Sequence, residues 1–276
     1  MTRSIAICAP ATPITREQAA AVTDRAAADF PQLRLSFHEQ CFVEEGHFAG
    51  ADDIRAAALL DCANDPQSDA VWFAKGGYGS NRILPQVLAG MNEAARGKSY
   101  LGYSDCGFLL GALYREGIGH PVHAPMPVDI KRCAGADAVR RSLAWLAGDP
   151  CGIEPELGKA PTAAFNLTTL AMLAGTPFMP DLTGHVLLVE EIAEHLYAID
   201  RLFFHVTKLI PGLAGLKLGE VTAVPENDRP FGCEAEDIAR RWCEEARIPY
   251  LGRAAIGHTS GNRIVPFGLA RMPNGA

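Results

Sequence analysis

The chain has no C-x-x-C pair, no H-E-x-x-H and no apolar run near the roughly 20 residues that cross a bilayer. A metal site therefore lacks its usual signatures, and no membrane span is expected. Neither G-x-x-x-x-G-K-[ST] nor G-x-G-x-x-G occurs, so the common nucleotide phosphate loops are missing too. Basic residues are in deficit: 25 Lys and Arg stand against 32 Asp and Glu, for a formal net charge of −7. That balance argues against nucleic acid or an anionic membrane surface as partner. The sequence has no internal repeat and no low-complexity tract. Eight cysteines are present at 8, 41, 62, 106, 133, 151, 233 and 243, but they are scattered. In a chain of 276 residues they read as reduced thiols of a cytoplasmic protein. His120 and His123 are three apart with Pro121 between them, which spoils a helical ligand pair. No metal and no cofactor is expected.

What is present is a rhythm of strand and helix. "SIAICAP" reads as a first buried strand, since its apolar patch Ile5–Pro10 is short for a signal-peptide core. "TREQAAAVTDRAAADF" reads as an amphipathic helix capped by Thr15. "LRLSFHE" is a strand and "GADDIRAAALLDCAND" a helix with acids in its first turn. "DAVWFAKGGYGSNRILPQVL" gives a strand, a glycine-rich loop and a helix, and "SYLGYSDCGFLLGALYREG" repeats that plan with a helix ending at Gly117. Such alternation predicts an α/β fold of βαβ units on a parallel sheet, with ligands beyond the carboxyl ends of the strands. Gly76–Gly79 and Ser104 both fall at such ends. Three Pro and three Gly between residues 145 and 162 mark a linker. The expected organisation is an N-terminal α/β domain over 1–147, a linker over 148–162 and a smaller C-terminal α/β domain over 163–276. In the latter, "GHVLLVEEIAEHLYAIDRLFFHVTKLI" starts as a strand and continues as a helix, and "LKLGEVTAV" is another strand.

The residues able to do chemistry are ambiguous one by one. Ser104, before a helix, is either an N-cap or a nucleophile on a sharp turn. Gly102 two positions earlier suits the turn, because a side chain there would crowd it, yet the second glycine of G-x-S-x-G is replaced by Cys106. Cys106 is itself a thiol nucleophile or a small packed residue. His258, in "IGHTSGNRIVPFG", is a loop histidine of the kind usually solvated. Glu190 ends an apolar stretch where a first-turn helix charge is the ordinary reading, and Glu191 and Glu194 compete with it. "KGGYGSNR" exposes backbone N–H groups that no side chain shields, which is what an oxyanion hole requires.

Taken in order, "IAICAPATP", "GGYGSNRILP", "LGYSD", "HAPM", "NLTTLAMLAGTPFMPDLTG", "VLLVEEIAEHLYAIDR" and "GHTSGNRIVPFG" resemble the LD-carboxypeptidases. This serine peptidase family includes muramoyltetrapeptide carboxypeptidase and the microcin C immunity peptidase. The resemblance spans nearly the whole chain. It implies a nucleophile elbow at Ser104, with Glu190 and His258 completing a Ser–Glu–His triad and the N–H groups of Gly77 and Asp105 forming the oxyanion hole. It further implies a small peptide or muropeptide substrate that loses its terminal D-alanine, a cytoplasmic setting in cell-wall recycling, and a homodimer. Lys75, Arg82 and Arg263 are the candidate cations for a terminal carboxylate, a guanidinium suiting bidentate recognition better than an ammonium, and Arg82, Asn166 and Arg263 are the candidates for substrate binding.

Three positions depart from the family pattern: Lys75 stands where Arg is usual, Phe165 where Gly is usual, and Gly107 where Thr is usual. They are expected to bear on the substrate, because the loops near them line the family's cleft. Three other readings compete. One is an immunity-type peptidase acting on aminoacyl-nucleotide conjugates, for whose additional loop a chain of this length leaves no room. Another is a catalytically silent ligand-binding relative. The third is a cysteine-centred enzyme built on Cys106.

Overall fold

The computed structural model describes residues 2–155 and 157–269. The first half builds one sheet from β1 (Arg3–Cys8), β2 (Leu33–Phe37), β3 (Ala70–Phe73), β4 (Ser99–Gly102) and β5 (His120–His123). These five strands run parallel in the order β2-β1-β3-β4-β5. Between and after them lie α1 (Arg16–Asp29), α2 (Asp52–Asn64), α3 (Leu84–Gly90), α4 (Gly107–Glu116) and α5 (Gly135–Leu146). The local signals act as expected. Thr15 accepts the backbone N–H of Gln18 while the Gln18 side chain returns to the Thr15 N–H, a complete capping box. Gly117 ends α4 in the left-handed region at φ 61°.

A second sheet follows, with β6 (Thr162–Asn166), β7 (Val186–Ile192), β8 (Gly215–Thr222) and β9 (Tyr250–Arg253) parallel in sequence order. Its helices are α6 (Leu167–Leu173), α7 (Leu196–Leu209) and α8 (Ala235–Ala246). The strand–helix rhythm gives no hint of the last step. After β9 the chain returns to the first sheet, where β10 (Val265–Pro266) pairs antiparallel with β5 at its edge.

One large apolar cluster runs through both units. Helix α4, "GFLLGALYRE", is buried from Gly107 to Leu113, as an all-round apolar helix must be. Leu109, Leu110 and Leu113 are fully buried, each worth about 1.5–3 kcal/mol relative to exposure. The departures at Gly107 and Phe165 meet here. A methyl group on Gly107 would lie 3.3 Å from the Phe165 ring and 3.1 Å from Thr169, and one on Gly111 would lie 3.2 Å from the same ring. A large residue on β6 is thus matched by two small ones on α4. The pair is a packing complement inside the core.

Candidate active site

Each element delivers one piece to the crevice beyond the strand ends. Strand β4 ends at Gly102, and the chain turns at Ser104 through a short 3₁₀ turn, Ser104–Cys106, into α4. Ser104 has φ 58°, a left-handed conformation that costs a non-glycine residue about 1–2 kcal/mol. A methyl group at Gly102 would come within 2.8 Å of Phe73 and 3.2 Å of the Cys106 Cβ, so the turn needs the glycine there. The N-cap reading of Ser104 does not hold, since the hydroxyl caps neither the 3₁₀ turn nor α4. Instead the Ser104 hydroxyl donates to His258 Nε2 at 3.1 Å.

Glu190 is not a helix first-turn charge. It lies within β7, fully buried, and its Oε2 accepts the Nδ1–H of His258 at 2.8 Å. A carboxylate beside Nδ1 fixes that nitrogen as donor, which leaves the Nε2 lone pair facing Ser104. Its Oε1 has no hydrogen-bond partner among the described residues. A buried carboxylate so sparsely paired favours any positive charge that arises on the imidazole. Gly219 on β8 makes this burial possible: a methyl group there would lie 3.0 Å from the Glu190 Cβ and 2.7 Å from the Ile256 carbonyl oxygen. The pairing of β7 with β8 shifts register between Val189 and Glu191, the kind of irregularity that re-aims a side chain. His258 is a loop residue, but not a solvated one; its side chain is 9% exposed.

The glycine-rich loop after β3 is held against the serine turn. The Asp105 carboxylate accepts the N–H groups of Ser80 at 2.9 Å and Gly79 at 3.3 Å, and its carbonyl accepts the Ser80 hydroxyl at 2.6 Å. Burial pushes the Asp105 carboxyl above its ordinary pKa, and these donors work in the opposite direction. The Thr12 hydroxyl donates to the Gly76 carbonyl at 2.6 Å. Gly77, Ser104 and Asp105 share the wall of one cavity of about 700 Å³.

That cavity continues to Asn166, Glu191 and Glu194, with Phe108, Met172 and Phe178 as its apolar side. Glu191 is tied down by Asn166 Nδ2, the Thr168 hydroxyl and the N–H groups of Thr168 and Ile192, all between 2.7 and 2.8 Å. Burial raises its carboxyl pKa, and those donors oppose the rise. Of the three substrate-binding candidates, Asn166 lies in the wall, while Arg82 and Arg263 are absent from it. Arg82 spends its Nε on Asp52, at 3.0 and 2.9 Å from the two carboxylate oxygens. Lys75 turns its ammonium to the Pro13 carbonyl at 3.3 Å. Cys106 is fully buried with its thiol toward the Lys75 carbonyl, and burial raises that thiol well above its ordinary pKa. Among the described residues no cluster of three His, Cys, Asp or Glu side chains is arranged to hold a metal.

A hydroxyl, an imidazole and a buried carboxylate in series are the parts of nucleophilic acyl transfer. The sequence carries a matching signature. Residues 5–124 match the family model for the LD-carboxypeptidase N-terminal domain, and residues 160–271 match that for the C-terminal domain. The chain belongs to the LD-carboxypeptidase family. Among its curated relatives, the murein tetrapeptide carboxypeptidase of Pseudomonas aeruginosa is 26% identical over 98% of this chain and 93% of its own. The probable murein peptide carboxypeptidase of Bacillus subtilis is 27% identical over 84% of this chain and 77% of its own. Solved structures agree on the family fold. The muramoyltetrapeptide carboxypeptidase from Oxalobacter formigenes superposes with a TM-score of 0.81 at 23% identity, covering 98% of this chain and 96% of that one. The microcin C7 self immunity protein MccF, in its complex with aspartyl sulfamoyl adenosine, gives 0.77 at 16% identity, covering 97% and 92%.

Within this family fold, sequence reasoning missed the residues that support the site from behind. Tyr103, Asp129 and Arg132 lie close to it, and Asn262 accepts both the Gly257 N–H at 3.1 Å and His123 Nε2–H at 2.9 Å. The visible signal was modest: an Asp three before an Arg in "VDIKR", and an Asn four after the histidine.

Proposed function

We propose that the chain is a serine-type LD-carboxypeptidase that removes the terminal D-alanine from murein tetrapeptide, acting in the cytoplasm as a homodimer during cell-wall recycling. The observation that carries this reading is the continuous relay, 3.1 Å from Ser104 Oγ to His258 Nε2 and 2.8 Å from His258 Nδ1 to Glu190 Oε2. His258 takes the Ser104 proton as the oxygen attacks the peptide carbonyl, and Glu190 holds the tautomer and stabilises the imidazolium. The tetrahedral oxyanion lies against the N–H groups of Gly77 and Asp105, each worth roughly 3 kcal/mol of barrier. His258 then gives the proton to the leaving amine of D-alanine. Water, activated by the same imidazole, resolves the acyl-enzyme and releases the tripeptide carboxylate.

The cavity beside Ser104 supports a diamino-acid side chain at the scissile bond. Glu191 and Glu194 line it with no Lys, Arg or His among its described lining residues, which suits an ammonium group. The experiment is mass spectrometry of the purified protein with murein tetra- and pentapeptide. Loss of one D-alanine from the tetrapeptide alone is the expected result. Turnover of an aminoacyl sulfamoyl adenosine with intact tetrapeptide would reassign the protein to immunity-type chemistry. No turnover of either, and no labelling of Ser104 by a fluorophosphonate, would mark a silent binding relative.

A further inference from the structure

The relay is assembled from two units. Ser104 belongs to the first sheet and Glu190 to the second, while the loop bearing His258 leaves β9 of the second and does not join the first until β10, seven residues after the histidine. The Glu190–His258 contact orients the ring within the second unit but does not set its distance from a hydroxyl on the first. That distance needs a tie of its own.

Such a tie passes through a buried carboxylate. Asp129 Oδ1 accepts the Tyr103 hydroxyl at 2.8 Å and the Arg132 Nε–H at 2.7 Å, while Oδ2 accepts the Met126 N–H at 2.8 Å. The same guanidinium donates from Nη1 to the His258 carbonyl at 2.9 Å. Tyr103 is the residue before Ser104, and its ring centroid lies 4.9 Å from that of His258. The connections therefore close a ring: Ser104, Tyr103, Asp129, Arg132, His258 and back to Ser104. The far end of the loop has its own anchors, with Arg141 donating to the carbonyls of Ser260 and Asn262.

We infer that Arg132 is a positioning residue, whose guanidinium holds the His258 main chain in register with the Ser104 turn through Asp129 and Tyr103. Arg132 touches no reacting atom. Its value lies in the fork, which serves a carboxylate and a carbonyl at once, where a lysine ammonium is a single point on a flexible stem. The side chain is 36% exposed, so a guanidinium ion supplied in solution can reach the place it vacates.

The inference rests on the relay reading, and the test separates the two. The rate of fluorophosphonate labelling of Ser104 is measured for the wild type, His258→Ala, Arg132→Ala and Arg132→Lys, together with thermal midpoints. Misplacement on the order of 1 Å costs about 100-fold, so both Arg132 variants are expected to label about 10- to 100-fold more slowly. Ethylguanidinium is expected to restore Arg132→Ala and to leave Arg132→Lys slow. Labelling of Arg132→Ala within twofold of wild type overturns the inference alone, as does a slow rate that ethylguanidinium does not raise. If Arg132→Ala does not fold, a normal rate for Arg132→Lys overturns it equally. A wild type that takes no label overturns the relay and this inference with it.

Discussion

Gly219 offers a test of the site's geometry at a residue with no chemistry of its own. In Gly219→Ala the new methyl carbon would stand 2.6 Å from Ile256 Cγ1, 2.7 Å from the Ile256 carbonyl oxygen and 3.0 Å from the Glu190 Cβ. Carbon and oxygen atoms do not settle at those distances, so β8, the Ile256 segment and Glu190 must part by roughly half an ångström or more. Overpacking of this kind costs about 1–3 kcal/mol. With an unfolding entropy of about 2.1 cal/mol/K per residue, that lowers the midpoint by about 2–5 °C if the chain unfolds as one unit. The displaced atoms carry Glu190 and lead into His258, so activity should fall further than stability. A shift of half to one ångström at the relay corresponds to about 10- to 100-fold in kcat, with KM little changed. Gly97→Ala is the control, since a methyl group there meets nothing within 4 Å and the backbone needs no glycine. Scanning calorimetry and tetrapeptide kinetics on both variants decide the matter. Gly219→Ala with kcat within twofold of wild type would refute the claim that Glu190 depends on this close approach.

Three further outcomes follow from the same geometry. Glu190→Gln should lower kcat by about 10³- to 10⁴-fold with KM within a few-fold in steady-state kinetics, because an amide facing Nδ1 favours the tautomer whose Nε2 cannot accept from Ser104; a loss under tenfold would speak against the assigned role. Iodoacetamide at neutral pH should leave activity intact, since the Cys106 thiol is buried and held well above its ordinary pKa; inactivation that tracks Cys106 alkylation in peptide maps would reopen a thiol mechanism. Burial lowers the pKa of His123 to about 4, so between pH 6.5 and 4 the unfolded chain takes up a proton that the folded one refuses. The stability present above pH 6.5 is thus lost as pH falls, by roughly 2–3 kcal/mol at pH 4.5, and His123→Gln should show a correspondingly shallower decline in denaturant titrations. An equal decline in both proteins would contradict it.

Much of the fold was legible because its signals are local. The Thr15 cap, the Gly117 stop and the strand–glycine–helix plan repeated after β3 and β4 depend on residues within a few positions of one another. Ser104 and His258 stood out through motif and order, and Glu190 was preferred to its neighbour Glu191 through the family resemblance, where a one-residue shift is easily made. Successive residues of a strand face opposite sides, so one glutamate meets His258 while its neighbour meets Asn166 and Thr168 at the cavity wall. A one-residue slip would exchange them, and the register shift opposite this point is not written in β7 itself. Arg82 and Arg263 lie outside the cavity wall, Arg82 for a related reason: a charge in a motif loop shows its type in sequence, but not that a carboxylate such as Asp52 will claim it first.

Least legible was the return of the chain to the first sheet, because β10 is two residues long. Its consequence for the site is large. The loop bearing His258 leaves β9 of the second sheet and enters β10, where Val265 pairs with His123. The segment around it is stitched on both sides: the Glu154 N–H donates to the Ile264 carbonyl at 2.9 Å, and Thr162 and Gly268 exchange backbone hydrogen bonds at 2.9 and 2.8 Å. The histidine loop is therefore bound covalently to one sheet at its start and to the other at its end. An imidazole that must serve a carboxylate on the second sheet and a hydroxyl on the first is best carried by the segment that belongs to both. Were the loop a simple excursion from the second sheet, the 3.1 Å contact with Ser104 would depend on side chains alone.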